Sequence, residues 1–255
     1  MLHAEVVGSG ARVVLVHGFT QTRRSWGRVA ERLTERFELV LVDAPGHGRS
    51  GEVAVDLWEG GRMIGALGGQ ASYLGYSMGG RFCLHTALAM PDLVQRLVLV
   101  GATAGIEDAA ARAERREADE RLAHTVLADG VERFVDHWLA RPLFHGLDAE
   151  AAGREARLEN RPAGLAESLR RAGTGQQKPL WGRLSELAMP VLLVVGERDE
   201  KFGAVATRMA DEIGTNATVA VIADAGHAAH LERPDDFVEV VTAFLRGGHQ
   251  DHRPS

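Results

Sequence analysis

The chain has 255 residues, 45% of them hydrophobic and 25% charged, a soluble globular mixture that excludes disordered, collagenous and coiled-coil architectures. Its formal net charge of −6 argues against a general binder of nucleic acid or of anionic membrane, both of which require a net basic face. The length suits one large α/β domain with an insertion. A single cysteine, Cys83, allows no internal disulfide. There is no basic-then-apolar leader and no apolar run near the roughly 18 residues of a membrane span, so a reduced, cytoplasmic enzyme is expected.

In chain order, His3 to Val7 alternate in polarity ahead of the turn signal Gly8-Ser9-Gly10, which predicts an antiparallel hairpin strand. Short β-branched runs follow at Val13 to Val16, Leu39 to Val42, Ser72 to Leu74, Leu97 to Val100, Val191 to Val195 and Val219 to Ile222. They do not alternate, as suits strands buried on both faces, and the stretches between them are long enough for crossover helices. A mostly parallel sheet flanked by helices is the expected fold class. Gly60 to Gly69 falls where one such helix is needed, although its glycines weaken a helix. Between Val100 and Val191 no strand-like run occurs, and Arg112 to Leu127, Val131 to Leu139, Ala149 to Leu158 and Leu165 to Arg171 carry helical spacing. A helical cap at 106–181 is therefore expected on a core made of 1–105 and 182–248, with a polar, frayed tail from Gly247 to Ser255.

His17-Gly18-Phe19 closes the first parallel run, where a turn can aim the Phe19 N–H at a developing oxyanion. Asp43-Ala44-Pro45-Gly46-His47-Gly48-Arg49-Ser50 adds a second loop on that edge and is expected to shape its rim. Gly75-Tyr76-Ser77-Met78-Gly79 stands between a strand and an apolar helix, the context in which G-x-S-x-G marks a nucleophile elbow. Its glycines let the turn tighten, Ser77 stands at a helix N-terminus, and the Met78 N–H completes an oxyanion pair with Phe19. A serine hydroxyl needs a base beside it, and the base needs an acid to hold its tautomer. Asp199 and His227 each follow a strand-like run and so fall past the carboxyl ends of strands, where open α/β sheets place their sites. Glu197 and Asp224 are alternative acids. Among the 11 histidines, His17 and His47 read as loop-shaping, His85 as helical and His230 as structural.

Arg81, four residues past Ser77, shares its helix face; spacing leaves open whether it meets an anionic substrate or a cap carboxylate. Arg112, Arg115, Arg116 and Arg121 crowd the first cap helix, where a charge run is usually a solvated face. Trp138 and Trp181 read as packing residues. No His/Cys/Asp/Glu group has metal spacing and no phosphate-binding glycine loop follows a strand, so neither a metal nor a cofactor is expected.

Together the elbow, HGF, DAPGHGRS, GERDEKF and AGHAAHLERP resemble the α/β-hydrolase superfamily over nearly the full chain. That resemblance implies the α/β-hydrolase fold with a helical cap inserted after the sixth strand, and it accords with the chain order Ser, Asp, His. Within the superfamily, Tyr76 to Arg81, Ala113 to Asp119, Trp138 followed by Pro142-Leu143-Phe144, and Gly173 to Gln177 leading to Pro179-Leu180-Trp181 are similar to the 2-succinyl-6-hydroxy-2,4-cyclohexadiene-1-carboxylate synthases of menaquinone biosynthesis. Such enzymes are lyases: a proton is taken from the substrate, a double bond shifts and pyruvate is eliminated. The resemblance implies Ser77, activated by His227 and Asp199, as proton acceptor and the Phe19 and Met78 N–H groups as enolate-stabilising donors. It also implies Arg81, Arg115 and Arg157 as carboxylate ligands, Tyr76 and Trp138 as pocket walls, and a small polycarboxylate as the partner. Thr20-Gln21-Thr22-Arg23-Arg24 departs from the glycine-containing loop expected after HGF. A carboxylesterase or enol-lactonase using the same triad is the rival reading. A ligand receptor on this scaffold would need a degraded triad, and Ser77, Asp199 and His227 are all present.

Overall fold

A computed structural model describes residues 1–247 of the chain. β1 (Ala4–Gly8), β2 (Ala11–Val16), α1 (Gly27–Thr34) and β3 (Phe37–Val42) open the fold, followed by α2 (Leu57–Gly68), β4 (Ala71–Tyr76), α3 (Met78–Ala89) and β5 (Val94–Val100). A helical segment then carries α4 (Ala109–Leu139), α5 (Arg154–Arg157) and α6 (Pro162–Ala172). β6 (Val191–Gly196), α7 (Glu200–Ile213), β7 (Ala217–Ile222), α8 (Ala229–Glu232) and α9 (Pro234–Leu245) complete the order. The seven strands lie as β1-β3-β2-β4-β5-β6-β7. β1 runs antiparallel to β3, and the other neighbours are parallel.

Successive strand residues face opposite sides of the sheet. On one side Val14, Val16, Leu97, Leu99 and Leu193 join Phe82 and Cys83 of α3 and Met209 of α7. On the other, Val13, Leu15, Val98, Val100 and Val194 join Val29 and Leu33 of α1 and Phe237 and Val241 of α9. Helices cover both faces, which is why the strand runs lack polar alternation.

Two expectations are corrected. The helical segment follows the fifth strand rather than the sixth: the five strand-like runs up to Val100 are all the strands that precede it, and the sixth came with the family resemblance. Ala149 to Leu158 is helical only over Arg154–Arg157, because Gly153 takes a left-handed φ of 59° and breaks the periodic run. Arg112 to Leu127 and Val131 to Leu139 are both helical as expected, two helical stretches of α4 that meet at Gly130, whose φ of 79° and ψ of 171° are not helical. Asp108 caps α4 by accepting the Ala111 N–H at 2.7 Å. The expected tail beyond Gly247 lies outside the described residues.

The glycine-rich stretch is helical through Gly68, with Asp56 accepting the Glu59 N–H at 2.8 Å as the N-cap. Its glycines let α2 lie close on α3: a methyl at Gly60 would stand 2.4 Å from the Phe82 ring, and one at Gly61 3.0 Å from the Thr86 nitrogen. That approach offsets a helix-propensity cost of about 1 kcal/mol per glycine. Gly60→Ala is therefore expected to destabilise the fold by about 1–3 kcal/mol through overpacking. Gly203→Ala in α7, where an added methyl meets nothing within 4 Å, is expected to stabilise it by up to about 1 kcal/mol. Urea unfolding checks the pair, and a more stable Gly60→Ala contradicts the close-packing account.

Candidate active site

β4 ends at Tyr76 and α3 begins at Met78, so Ser77 alone makes the turn between them, at φ 51° and ψ −107°. A positive φ at a side-chain-bearing residue is strained by about 1–3 kcal/mol and persists only where its surroundings enforce it. Here the Ser77 N–H donates to the Val100 carbonyl at 2.8 Å. A Cβ at Gly75 would stand 2.4 Å from the Gly79 carbonyl oxygen, and one at Gly79 2.0 Å from the Val16 carbonyl oxygen. Neither glycine can be replaced without moving the elbow off the end of β2.

His227 and Asp199 reach Ser77 from the loops after β7 and β6. His227 Nδ1 lies 2.6 Å from Asp199 Oδ2, and its Nε2 lies 3.4 Å from Ser77 Oγ. With Nδ1–H donating to the carboxylate, Nε2 is left as an acceptor facing the hydroxyl. The longer contact is of the kind that tightens when substrate binds. Asp199 Oδ1 also accepts the Phe202 N–H at 3.3 Å, capping α7, so one carboxylate fixes both helix and imidazole. Glu232 accepts the Gly226 N–H at 2.7 Å and the Ala228 N–H at 3.2 Å, clamping the His227 loop on both sides. Of the alternative acids, Glu197 accepts the Asp224 N–H and Asp224 pairs with Arg198 on the surface, away from the imidazole.

The loop after β2 is held by buried histidines. His17 Nε2 accepts the Ala44 N–H at 3.0 Å, and its Nδ1 lies 2.8 Å from the Gly18 carbonyl. His47 Nε2 accepts the Thr20 N–H at 3.2 Å. Asp43, wholly buried, accepts the Arg23 N–H at 2.8 Å and the Arg49 N–H at 3.1 Å, tying the DAPGHGRS loop to its neighbour. Phe19 sits edge-on to Trp138 and Phe134 of α4.

These parts border a small pocket of about 30 Å³ lined by Phe19, Gln21, Tyr76, Ser77, Trp138, Leu143, Phe144, Arg157 and His227. Arg157 is buried; its Nε donates to the Ala152 carbonyl at 2.8 Å and its Nη1 to the Thr20 hydroxyl oxygen. Burial lowers it to about 10, so it stays cationic at neutral pH. Arg115 lies farther out, its Nε donating to Asp119 Oδ1 at 2.8 Å. It borders an outer depression with Arg121, Arg141, Trp138 and Leu143, so Trp138 and Leu143 wall both hollows.

Arg81 does not line the pocket. It is buried against α6, where its Nη1 donates to the Ala172 carbonyl at 2.7 Å, and burial together with nearby Arg115 lowers it to about 10. Shared helix face predicted proximity to Ser77, but the long side chain runs to a backbone oxygen beneath the cap helices. Gln21 and Arg141 were not singled out as ligands from the sequence. The departure of the loop after HGF from a glycine-containing form was the signal for Gln21. Arg141, whose guanidinium lies 4.3 Å over the Trp138 ring, had no signal beyond its place beside Pro142.

A strained serine on a strand-to-helix elbow, an imidazole within reach of it and a carboxylate behind the imidazole are the arrangement of the alpha/beta hydrolase type. The sequence pattern of the alpha/beta hydrolase family matches residues 13–240, and the chain belongs to that family. Within it, the 2-succinyl-6-hydroxy-2,4-cyclohexadiene-1-carboxylate synthase of Salmonella schwarzengrund (strain CVM19633) is 34% identical over 96% of this chain and 99% of its own length. Among solved structures, MenH from S. aureus matches with a TM-score of 0.90 and 31% identity, covering 96% of this chain and 98% of that one. A thermophilic esterase from Thermogutta terrifontis matches with a TM-score of 0.82 and 26% identity, covering 96% and 93%. Among the described residues no helix is long and apolar enough to cross a membrane.

Burial lowers His17 to about 4, and His47 and His230 to about 3. An unfolded chain's histidines titrate near 6.5, so below that pH the unfolded state binds protons that the folded state refuses. The stability associated with these neutral rings is present above about pH 6.5 and is lost as pH falls toward about 4. The urea midpoint is expected to drop between about pH 7.5 and about pH 5, and it should drop less in His47→Gln. An unchanged midpoint would contradict the burial account.

Proposed function

We propose that this chain is a 2-succinyl-6-hydroxy-2,4-cyclohexadiene-1-carboxylate synthase, a carbon–oxygen lyase that eliminates pyruvate from a succinyl-enolpyruvyl-hydroxycyclohexene-carboxylate. The observation that carries this reading is the character of the pocket over Ser77. Arg157, Gln21 and Trp138 line it, and Gln21 Nε2 and the Trp138 indole N–H are buried without an acceptor. Donors without acceptors suit an oxygen-rich anion better than the acyl chain of a simple ester. The similarity to the Salmonella synthase over the length of both chains supports the same choice.

In this reading Asp199 holds the His227 tautomer, His227 Nε2 takes the Ser77 proton, and the serine oxygen takes a proton from the substrate carbon beside a carbonyl. The electron pair left behind forms a carbon–carbon double bond, the existing double bond shifts, and the C–O bond to the enolpyruvyl group breaks; the departing enolate takes the proton held on His227 and becomes pyruvate. No water is consumed. The N–H groups of Phe19 and Met78 face the charge that develops on the carbonyl oxygen. Arg157 takes a carboxylate beside the serine, with Tyr76 and Trp138 as walls. Arg115 stands at the mouth, and Arg81 adds positive field from behind it. Residues 106–181 serve as the cap that brings Trp138 and Arg157 over the sheet edge. The lone thiol, Cys83, is buried and unpaired, which suits action in the reducing cytoplasm.

Purified protein is expected to release pyruvate from the succinyl-enolpyruvyl substrate far faster than it hydrolyses activated esters, and the opposite ranking would reject the assignment. Ser77→Ala should lower pyruvate release by about 10²–10⁴-fold, the range for loss of a positioned base; turnover at the wild-type rate would remove the serine from the mechanism. Arg157→Gln should lower kcat/KM by about 10–100-fold, as expected for one charged hydrogen bond, with the thermal midpoint recorded alongside to separate binding from folding.

A further inference from the structure

The loop after β2 departs from the glycine-containing form that the family resemblance implies, and Gln21 is where the departure enters the pocket. The side chain is 1% exposed, so its amide must be satisfied by protein or by ligand. Oε1 accepts the Gly18 N–H at 2.8 Å. Only the amide oxygen can accept from an N–H, so this bond fixes which way the amide lies. Nε2 is the other end of that amide and is buried without a partner, and Gln21 lines the pocket with Ser77, Tyr76 and His227.

The loop holds this orientation firmly. The Gln21 N–H donates to the Gly18 carbonyl at 3.2 Å, Asn160 Nδ2 donates to the Thr20 carbonyl at 2.6 Å, and the Thr20 N–H is taken by His47. Thr20 itself sits at φ 67°, a left-handed conformation that a β-branched residue adopts only under constraint. An unpaired donor held this rigidly in a pocket edged by Arg157 is matched by an anionic oxygen.

We infer that Gln21 is a further substrate-binding residue, its amide nitrogen donating to an anionic oxygen of the substrate beside the Phe19 N–H. The inference rests on the proposed synthase reading and deepens it. That oxygen is either a carboxylate oxygen, present throughout, or the carbonyl oxygen that becomes an enolate.

Gln21→Glu tests this, because it keeps an oxygen for the Gly18 N–H while replacing the donor with an acceptor. Gln21→Met removes both groups at similar volume. Pyruvate release is measured for the wild type and both variants from about pH 8 to about pH 5.5, with thermal unfolding as the check on folding. Gln21→Glu is expected to lose about 100-fold in kcat/KM at neutral pH, the usual cost of one such donor. Its rate relative to wild type should recover toward low pH, where a protonated carboxyl again donates. A loss in KM alone places the bond on a carboxylate, and a loss in kcat places it on the developing enolate.

Gln21→Glu within about twofold of wild type overturns the inference. So does a loss that equals that of Gln21→Met and stays flat with pH, which would assign Gln21 to loop support. If Gln21→Glu does not fold, Gln21→Met decides: an unchanged thermal midpoint with at least about a tenfold loss supports the inference, and wild-type kinetics overturn it. A wild type that releases no pyruvate overturns the parent reading, a result distinct from an active wild type with an unaffected variant.

Discussion

Ser77 occupies its place because the chain on either side has no side chains to clear. Gly79 lies so close to the end of β2 that an added carbon would overlap the Val16 carbonyl, and Gly75 is pressed as tightly against Gly79. That contact seats the start of α3 against the end of β2 and the loop that leaves it. The parallel register then brings the ends of β6 and β7 to the same edge, where Asp199 and His227 follow them. Gly101, at φ 55°, completes the fit, since a Cβ there would stand 2.9 Å from the His227 ring.

A second constraint is electrostatic. The chain is net acidic, and many of its arginines are spent on exposed ion pairs such as Arg28 with Asp235 and Arg154 with Asp136, which contribute little to stability. Arg81 and Arg157 are different: both are buried, and each hydrogen-bonds to neutral oxygens rather than to a carboxylate. Burying a cation without a hydrogen-bonded counter-ion is costly; the nearby Asp119 charge offsets part of that cost for Arg81, and the fold accepts the rest. A bound polyanion would supply the missing negative charge.

Much of this was legible in the sequence because burial on both faces leaves a plain record. The β-branched runs mark the strands, and the glycines around Ser77 mark a turn that needs them. The position of the helical segment was off by one strand because its count was carried over from the family resemblance, whereas the chain's own runs up to Val100 number five. Gly60 to Gly69 was ambiguous because a glycine kept for helix–helix approach looks the same in one dimension as a helix breaker. Gly153 was the opposite case, a true breaker inside a run that otherwise had helical spacing. Arg81 shows the limit of periodicity most clearly: spacing assigns a helix face, but a long side chain can end beneath a neighbouring helix. Gln21 looked like a loop irregularity, since the hydrogen bond that orients its amide exists only after the turn closes.

The bend in α4 divides duties within one helix. Before Gly130 the helix carries Arg115 and Arg121 at the outer depression; after it come Phe134 and Trp138, which rest on Phe19. Nothing lies within 4 Å of where a side chain at Gly130 would project, so handedness of the backbone, not room, keeps glycine there. The angle between the charged half and the aromatic half of α4 is thus written into one left-handed residue, and any side chain at 130 would strain the backbone that makes the corner.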